Sequence, residues 1–379
     1  MRVLMVSDVY FPRVNGVCTS IETFRGTLAA EGVDVRLVAP RYGEEPEQPD
    51  IVRVDARPVP VDPEDRMMTW RQARDTVLRE AESCDLIHIQ TPFVAHYAGL
   101  HAARKLGKPV LATYHTFFEE YLYHYARWLP RAWMRALARR FSRTQCNTLD
   151  AVIVPSTAMR ARLAEYGVTR PMHVLPTGIP LGRFESGDRA GYRAKLGIDA
   201  HRPTVLFVGR VAHEKNIGFL VEAVAQARMR LPEILFLITG EGPAGKRLRA
   251  QVEALGLTGN VRFLGYLDRK RELPDCYAAA DVFAFASRTE TQGLVLLEAM
   301  AMGLPVVALA AMGTTDILAR GRGCLTPVDD VADFAAALCR LLDDGQLRAQ
   351  LSAEARDYAA EWSDQRMAGS LAELYRSLS

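Results

Sequence analysis

Short, β-branched apolar runs alternate with longer helix-patterned stretches along the whole chain, and the rhythm starts twice. A parallel strand covered by helices on both faces reads as an unbroken apolar run, where a half-exposed strand would alternate. Such runs occur at 3–6, 35–39, 51–54, 86–90, 110–114, 152–155 and 173–176, and again at 205–210, 234–239, 261–265, 282–286 and 305–308. Between the two series, Pro176-Thr177-Gly178-Ile179-Pro180 carries no apolar period and reads as a linker. At 379 residues the chain is too long for one ordinary domain and comfortable for two. The pattern predicts an α/β protein of two facing, doubly wound domains, 1–178 and 179–360, with a helix at 361–379 packing back on the first. In open sheets of this kind ligands bind beyond the carboxyl ends of the strands. Both sets of strand ends are expected to open onto one cleft, and the loops there are the place to look for chemistry.

Composition removes several alternatives. A net charge of +2, with both halves close to neutral, argues against a protein that coats nucleic acid. The six cysteines are scattered, with no C-x-x-C pair, as expected of reduced thiols in a cytoplasm rather than of a disulfide framework or a zinc site. The apolar run at 3–6 is too short for a signal peptide, and no window reaches the roughly 18 apolar residues of a membrane-spanning helix. Any meeting with a membrane is therefore expected at its surface. No Asp-x-Asp pair or histidine cluster marks a metal site, and neither G-x-S-x-G nor G-x-x-x-x-G-K-[ST] occurs.

The strongest local signal is the segment 287–301, which leaves a strand and runs into a helix. Gly293 lets an anion approach the backbone N–H groups of Gln292, Gly293 and Leu294 at the helix start. Glu290 precedes that helix and Glu298 lies along it; eight residues of helical rise would be roughly 12 Å. Each carboxylate can accept two hydroxyl hydrogen bonds. A capped helix with two surface glutamates would read the same way. At another strand end, Gly209-Arg210 is followed by Glu214-Lys215-Asn216. A forked guanidinium and a point-charge ammonium at the mouth of a sheet suit a diphosphate, although a solvated basic turn fits these residues too. Gly16, between the first strand and its helix, and His115, at the end of the run 110–114, are candidates in the first half. Each has a plain structural alternative, a turn and a satisfied strand-end histidine. The 240–245 segment matches G-x-G-x-x-G but sits on the second strand of its domain and has no acid about 20 residues on, which counts against a nicotinamide site. It reads as a glycine loop at the cleft or as a simple turn.

Taken together, these motifs resemble the retaining glycosyltransferases of family 4, which have the GT-B fold of two facing Rossmann-like domains. The resemblance rests on the E-x7-E element at Glu290 and Glu298, the G-R…E-K-N element at 209–216 and the order of strands, and covers nearly the whole chain. It implies that 1–178 is the acceptor-side domain and 179–360 the nucleotide-sugar domain. It further implies that Arg210 and Lys215 bind the donor diphosphate, Glu298 the ribose, and Glu290 the transferring sugar. Gly16 corresponds to the family's N-terminal glycine loop, His115 to its cleft histidine, and Gly265-Tyr266 to the loop touching the base. Glu290-Thr291-Gln292-Gly293 departs from the usual E-G-F-G and looks like the variant of diacylglycerol glucosyltransferases. The donor implied is a nucleotide sugar, UDP-glucose favoured, with no metal or other cofactor needed for its binding.

Residues 121–149 contain no acid, but do contain Arg127, Arg131, Arg135, Arg139, Arg140 and Arg143. On a helix starting near Pro130, Trp133, Met134, Leu137, Ala138 and Phe141 are expected on one face and the arginines largely on the other. A basic amphipathic helix with aromatics binds anionic membrane surfaces, while a core-packed helix with a solvated basic face accounts for the pattern as well. The expectation is a cytoplasmic, peripherally membrane-associated hexosyltransferase acting on a lipid such as diacylglycerol. A soluble or polyprenyl-linked saccharide acceptor, a GT-B sugar-nucleotide epimerase and a non-catalytic nucleotide-sugar binder are the alternatives.

Overall fold

The computed structural model describes residues 1–59, 62–115, 131–269 and 271–379. Arg127 lies outside the described residues, as does the side chain of Arg131. The chain divides into two compact units, Met1–Gly178 with Asp364–Ser379, and Ile179–Ser363. The division falls at 363/364 rather than after 360. Ile179 N–H donates to Trp362 O at 2.9 Å, and Ile179 bridges Ser363, tying the end of the second unit to its beginning.

The first unit is built on a seven-stranded parallel sheet. Its strands are β1 (Arg2–Val6), β2 (Asp34–Pro40), β3 (Ile51–Val54), β6 (Leu86–Ile89), β7 (Val110–Thr113), β8 (Ala151–Val154) and β9 (Met172–Val174), in the order β3-β2-β1-β6-β7-β8-β9. Val3, Leu4, Met5 and Val6 are all fully buried, as a central strand with helices on both faces requires. The chain lays β2 and β3 on one side of β1 and the later strands on the other, so the order reverses between β1 and β6. Two further strands, β4 (Ala56–Val59) and β5 (Asp62–Met68), pair antiparallel as a separate hairpin. Sequence reading passed over them because their prolines and charges break any apolar run.

The second unit has a six-stranded parallel sheet of β10 (Thr204–Val208), β11 (Leu235–Thr239), β12 (Val261–Gly265), β13 (Val282–Phe285), β14 (Val306–Ala308) and β15 (Cys324–Leu325). The order is β12-β11-β10-β13-β14-β15, with the reversal between β10 and β13. β15 has only two residues, too short to leave a periodic signal.

The helix Asp364–Leu378 belongs to the core of the first unit. Ala368, Leu371, Ala372, Leu374 and Tyr375 are buried among Val3, Met5, Ile21 and Phe24. Tyr375 Oη lies 2.6 Å from His88 Nδ1, and His88 Nε2 lies 2.7 Å from Thr113 Oγ1, so a polar chain joins this helix to β6 and β7. Leu371→Ala, which empties a fully buried position, is expected to cost the first unit about 2–5 kcal/mol, read as a lowered urea midpoint with an unchanged slope.

Candidate functional site

In the second unit, adjacent strands β10 and β13 release their following loops at the reversal point, where doubly wound sheets bind ligands. The loop after β10 carries Arg210 and Lys215, and the loop after β13 carries Glu290. Lys215 Nζ is hydrogen-bonded and ion-paired to Glu290 Oε1, with both side chains largely withdrawn from water. The two loops are joined elsewhere as well. Ser287 Oγ donates to Glu214 O at 3.3 Å, and Asn216 Nδ2 donates to Ala286 O at 3.2 Å. Asn216 adopts φ 54°, a left-handed conformation that asparagine tolerates better than most residues. Arg210 is exposed and makes no ion pair among the described residues. Its guanidinium, on the same loop as the half-buried Lys215, is open to an anion.

The glycine motif at 240–245 explains how the Arg210 loop is held. A Cβ on Gly240 would lie 2.0 Å from Gly209 O, and one on Gly242 would lie 2.4 Å from Val211 O. Val211 N–H donates to Glu241 O and Ala244 N–H to Val211 O, both at 3.0 Å. The first two glycines therefore allow backbone to pack on backbone beneath Arg210, whereas a Cβ on Gly245 would meet nothing within 4 Å.

The helix Leu294–Ala301 is capped by Gly293 at φ 99°, which offers no side chain to its first turn. Thus only 294–298 of the Glu290–Glu298 stretch is helical, and the 12 Å helical spacing expected from sequence does not apply. Gly313 braces the preceding loop: its N–H donates to Glu290 O at 2.8 Å, and a Cβ there would meet Thr291 O at 2.0 Å. Gln292 is buried, while Thr291 and Leu294 are half-buried. Glu298 is only 3% exposed. Its Oε1 accepts from Arg269 Nη2 at 2.5 Å and its Oε2 from Tyr277 Oη at 2.9 Å. Sequence reading missed both partners. Arg269 stands in the loop after β12, next to Gly265 (φ 72°) and the exposed Tyr266. Its one sequence signal was the basic run Arg269-Lys270-Arg271 in an otherwise turn-like loop.

In the first unit, Gly16 opens the helix Gly16–Leu28, which Asn15 caps by accepting from Cys18 N–H at 2.9 Å. Among the described residues a Cβ on Gly16 would meet nothing within 4 Å, so packing does not demand a glycine there. His115 follows β7, and its Nε2–H donates to Gln90 Oε1 at 2.9 Å. Burial pushes the imidazole down to about 4, so it is neutral at pH 7 and keeps Nδ1 as an acceptor. A hydrogen-bonding role suits it better than that of a proton donor.

The helix Arg131–Cys146 corrects the expected division of faces. Met134, Ala138, Ser142 and Cys146, four residues apart, are the packed stripe, and Ser142 Oγ lies 2.7 Å from Tyr114 Oη. Trp133 is 76% and Leu137 58% exposed, and they share the outer side with the exposed Arg135, Arg139, Arg140 and Arg143. The Arg139 guanidinium lies 5.2 Å from the Tyr166 ring centroid. The apolar residues thus form two adjacent stripes, one packed and one facing out.

Burial also pushes His88 down to about 3 and His96 to about 4, while it pushes the Asp8 carboxyl up to about 6 against hydrogen bonds from Thr91, Ala95 and Phe93. An unfolded histidine gains its proton near pH 6.5. Below that, the unfolded chain binds three protons that the native unit refuses, and stability falls as pH drops towards 4. Asp8 opposes this, because its native form is protonated from about pH 6 downward. The net loss from these four groups is two protons, roughly 3 kcal/mol per pH unit at its steepest. His88→Gln is expected to flatten the slope by about 1.4 kcal/mol per pH unit, measured by urea unfolding at pH 5 and 6.

Comparison with known proteins identifies the family and the fold. The Glycosyltransferase Family 4 model matches residues 14–183, and that of the Glycosyl transferases group 1 matches 188–358. The chain is 33% identical over 318 residues to the alpha-monoglucosyldiacylglycerol synthase of Streptococcus pneumoniae, covering 81% of this chain and 71% of that protein. It is 31% identical over 344 residues to a GDP-mannose-dependent alpha-mannosyltransferase of Mycobacterium tuberculosis, covering 87% and 85%. The crystal structure of Anabaena HepE in complex with UDP superposes with a TM-score of 0.79 over the full length of both chains, at 21% identity. Among the described residues, no helix is long and apolar enough to cross a membrane. With both of its units matched and its likeness extending over most of its length, the chain belongs to the family 4 glycosyltransferases and has the GT-B fold.

Proposed function

We propose that the chain transfers a hexose, glucose favoured, from a nucleotide-sugar donor to a hydroxyl of a membrane lipid such as diacylglycerol, with retention at the anomeric carbon. The observation that supports the donor site is the pairing of Lys215 with Glu290 between the loops that follow β10 and β13, where the strand order of the second sheet reverses, with Arg210 on the first of those loops. Arg210 and Lys215 meet the diphosphate, and Glu290, paired with Lys215 in the unliganded chain, turns to the sugar. Glu298 takes the ribose, and Gly265 and Tyr266 border the base. Gly16 and His115 serve from the first unit, the histidine as a neutral hydrogen-bonding group. In front-face retention the leaving phosphate takes the acceptor proton, so no glycosidase-like second carboxylate is needed. The two cations then stabilise the departing nucleoside diphosphate. A donor screen by thermal shift, followed by product analysis with lipid extracts, tests this: UDP-glucose stabilises the chain and labels a neutral glycolipid. A chain that no nucleotide sugar stabilises would not be a transferase of this kind.

The lipid acceptor is supported by the name of the pneumococcal relative and by the outer stripe of Trp133 and Leu137 among arginines. An amphipathic surface of this make-up lies in the headgroup region of anionic bilayers, which would place the protein on the inner face of the membrane. Native chain is expected to float with phosphatidylglycerol vesicles. Trp133→Ala with Leu137→Ala, and separately Arg131, Arg135 and Arg139 to alanine, are expected to cut binding about tenfold or more. Equal flotation of all three proteins would remove the membrane from the proposal. The name of the mycobacterial relative favours a second reading, mannose transfer from a GDP donor, which the same donor screen separates.

A further inference from the structure

Glu298 is held more firmly than binding a ligand alone would require. Taking a carboxylate out of water is costly unless partners meet it, and here one partner meets each oxygen from a different element. Tyr277, fully buried in the helix Glu272–Ala279, packs its ring 6.0 Å from that of Phe184 and 5.9 Å from that of Phe283, so its hydroxyl has one place to be. Arg269 comes from the loop after β12 and keeps 28% of its side chain exposed. An ionised carboxylate offers about four lone-pair sites, two on each oxygen. The clamp takes one site on Oε1 and one on Oε2, so that one on each has no partner among the described residues. Two adjacent acceptors fixed in this way match two hydroxyls on neighbouring carbons.

We propose that Arg269 and Tyr277 are positioning residues that lock Glu298 in the orientation that reads a ribose diol, and that Arg269 stays paired with it when the donor is bound. The proposal rests on the reading of Glu298 as the ribose carboxylate. A hydroxyl carries no charge to replace the guanidinium, so displacing Arg269 would leave a buried anion without a counter-ion. The clamp therefore governs discrimination between ribose and a sugar lacking the diol.

The test uses the full chain and calorimetric Kd values for UDP and GDP, each beside its 2′,3′-dideoxy form, taking whichever base binds more tightly. Native protein is expected to prefer the ribonucleotide by about 100-fold or more, as two hydrogen bonds to a charged group allow. Arg269→Met is expected to lower that ratio at least about tenfold, and Tyr277→Phe about fivefold. In both, the dideoxy affinity is expected to stay at its native value, and Arg269→Lys, with charge but no fork, falls between. Equal weakening of both nucleotides would show that the pair only supports the fold, and tighter ribonucleotide binding in Arg269→Met would show a blocking residue. Either result overturns the proposal, as does an unchanged ratio in a background where Glu298→Gln abolishes it. If native protein shows no preference and Glu298→Gln changes neither affinity, the ribose assignment itself fails.

Discussion

Replacing Lys215 by alanine is expected to reduce donor-induced thermal stabilisation and to slow transfer about a thousandfold, the upper range for removing one preorganised charge from a transition state. Two effects add. The diphosphate loses a cation at the point where negative charge builds up as the glycosidic bond breaks. Glu290 also loses its partner, and a carboxylate only 16% exposed is left without its ion pair beside the position of the leaving group. Steady-state kinetics on purified variant should show the loss chiefly in kcat, because the leaving group carries more charge in the transition state than in the bound donor. Arg210→Ala, which breaks no ion pair among the described residues, is expected to fall less. Native stabilisation by donor in Lys215→Ala would mean that the diphosphate binds elsewhere.

Glu298→Ala is expected to weaken the donor about 100-fold with a smaller change in kcat, since ribose contacts are the same in the ground and transition states. The folded chain is expected to survive the change, because the variant removes the buried charge itself and leaves Arg269, which is partly exposed, able to turn to water, with the Tyr277 hydroxyl losing its acceptor at a cost of about 1–3 kcal/mol. The contrast between the two variants separates binding from chemistry. Donor concentration should rescue Glu298→Ala and fail to rescue Lys215→Ala in the same assay. Rescue of both, or of neither, would contradict the roles assigned to them.

How far the sequence speaks for itself differs from part to part. The parallel strands were legible because burial on both faces writes an unbroken apolar run, as at Val205 to Val208. The hairpin of β4 and β5 writes no such run, since much of it faces water. Lys215 and Glu290 stood out as separate signals, but their pairing across 75 residues is a product of strand order. The clamp on Glu298 was hidden for a related reason: Tyr277 reads as an ordinary core aromatic, and Arg269 as a charged loop residue. The helix Arg131–Cys146 shows the limit of periodicity. Its spacing announced an apolar face, yet which of two neighbouring stripes packs inward depends on where Tyr114 and the strands beneath it lie. The glycines at 240 and 242 were legible as a motif, while their purpose became visible only with Gly209 and Val211 packed against them.

A crystal structure of the chain with its donor nucleoside diphosphate tests the central claim most directly. The account requires phosphate oxygens within about 3.2 Å of the Arg210 guanidinium and the Lys215 ammonium, beyond the ends of β10 and β13. A diphosphate seated elsewhere, with both cations turned to solvent, would contradict it.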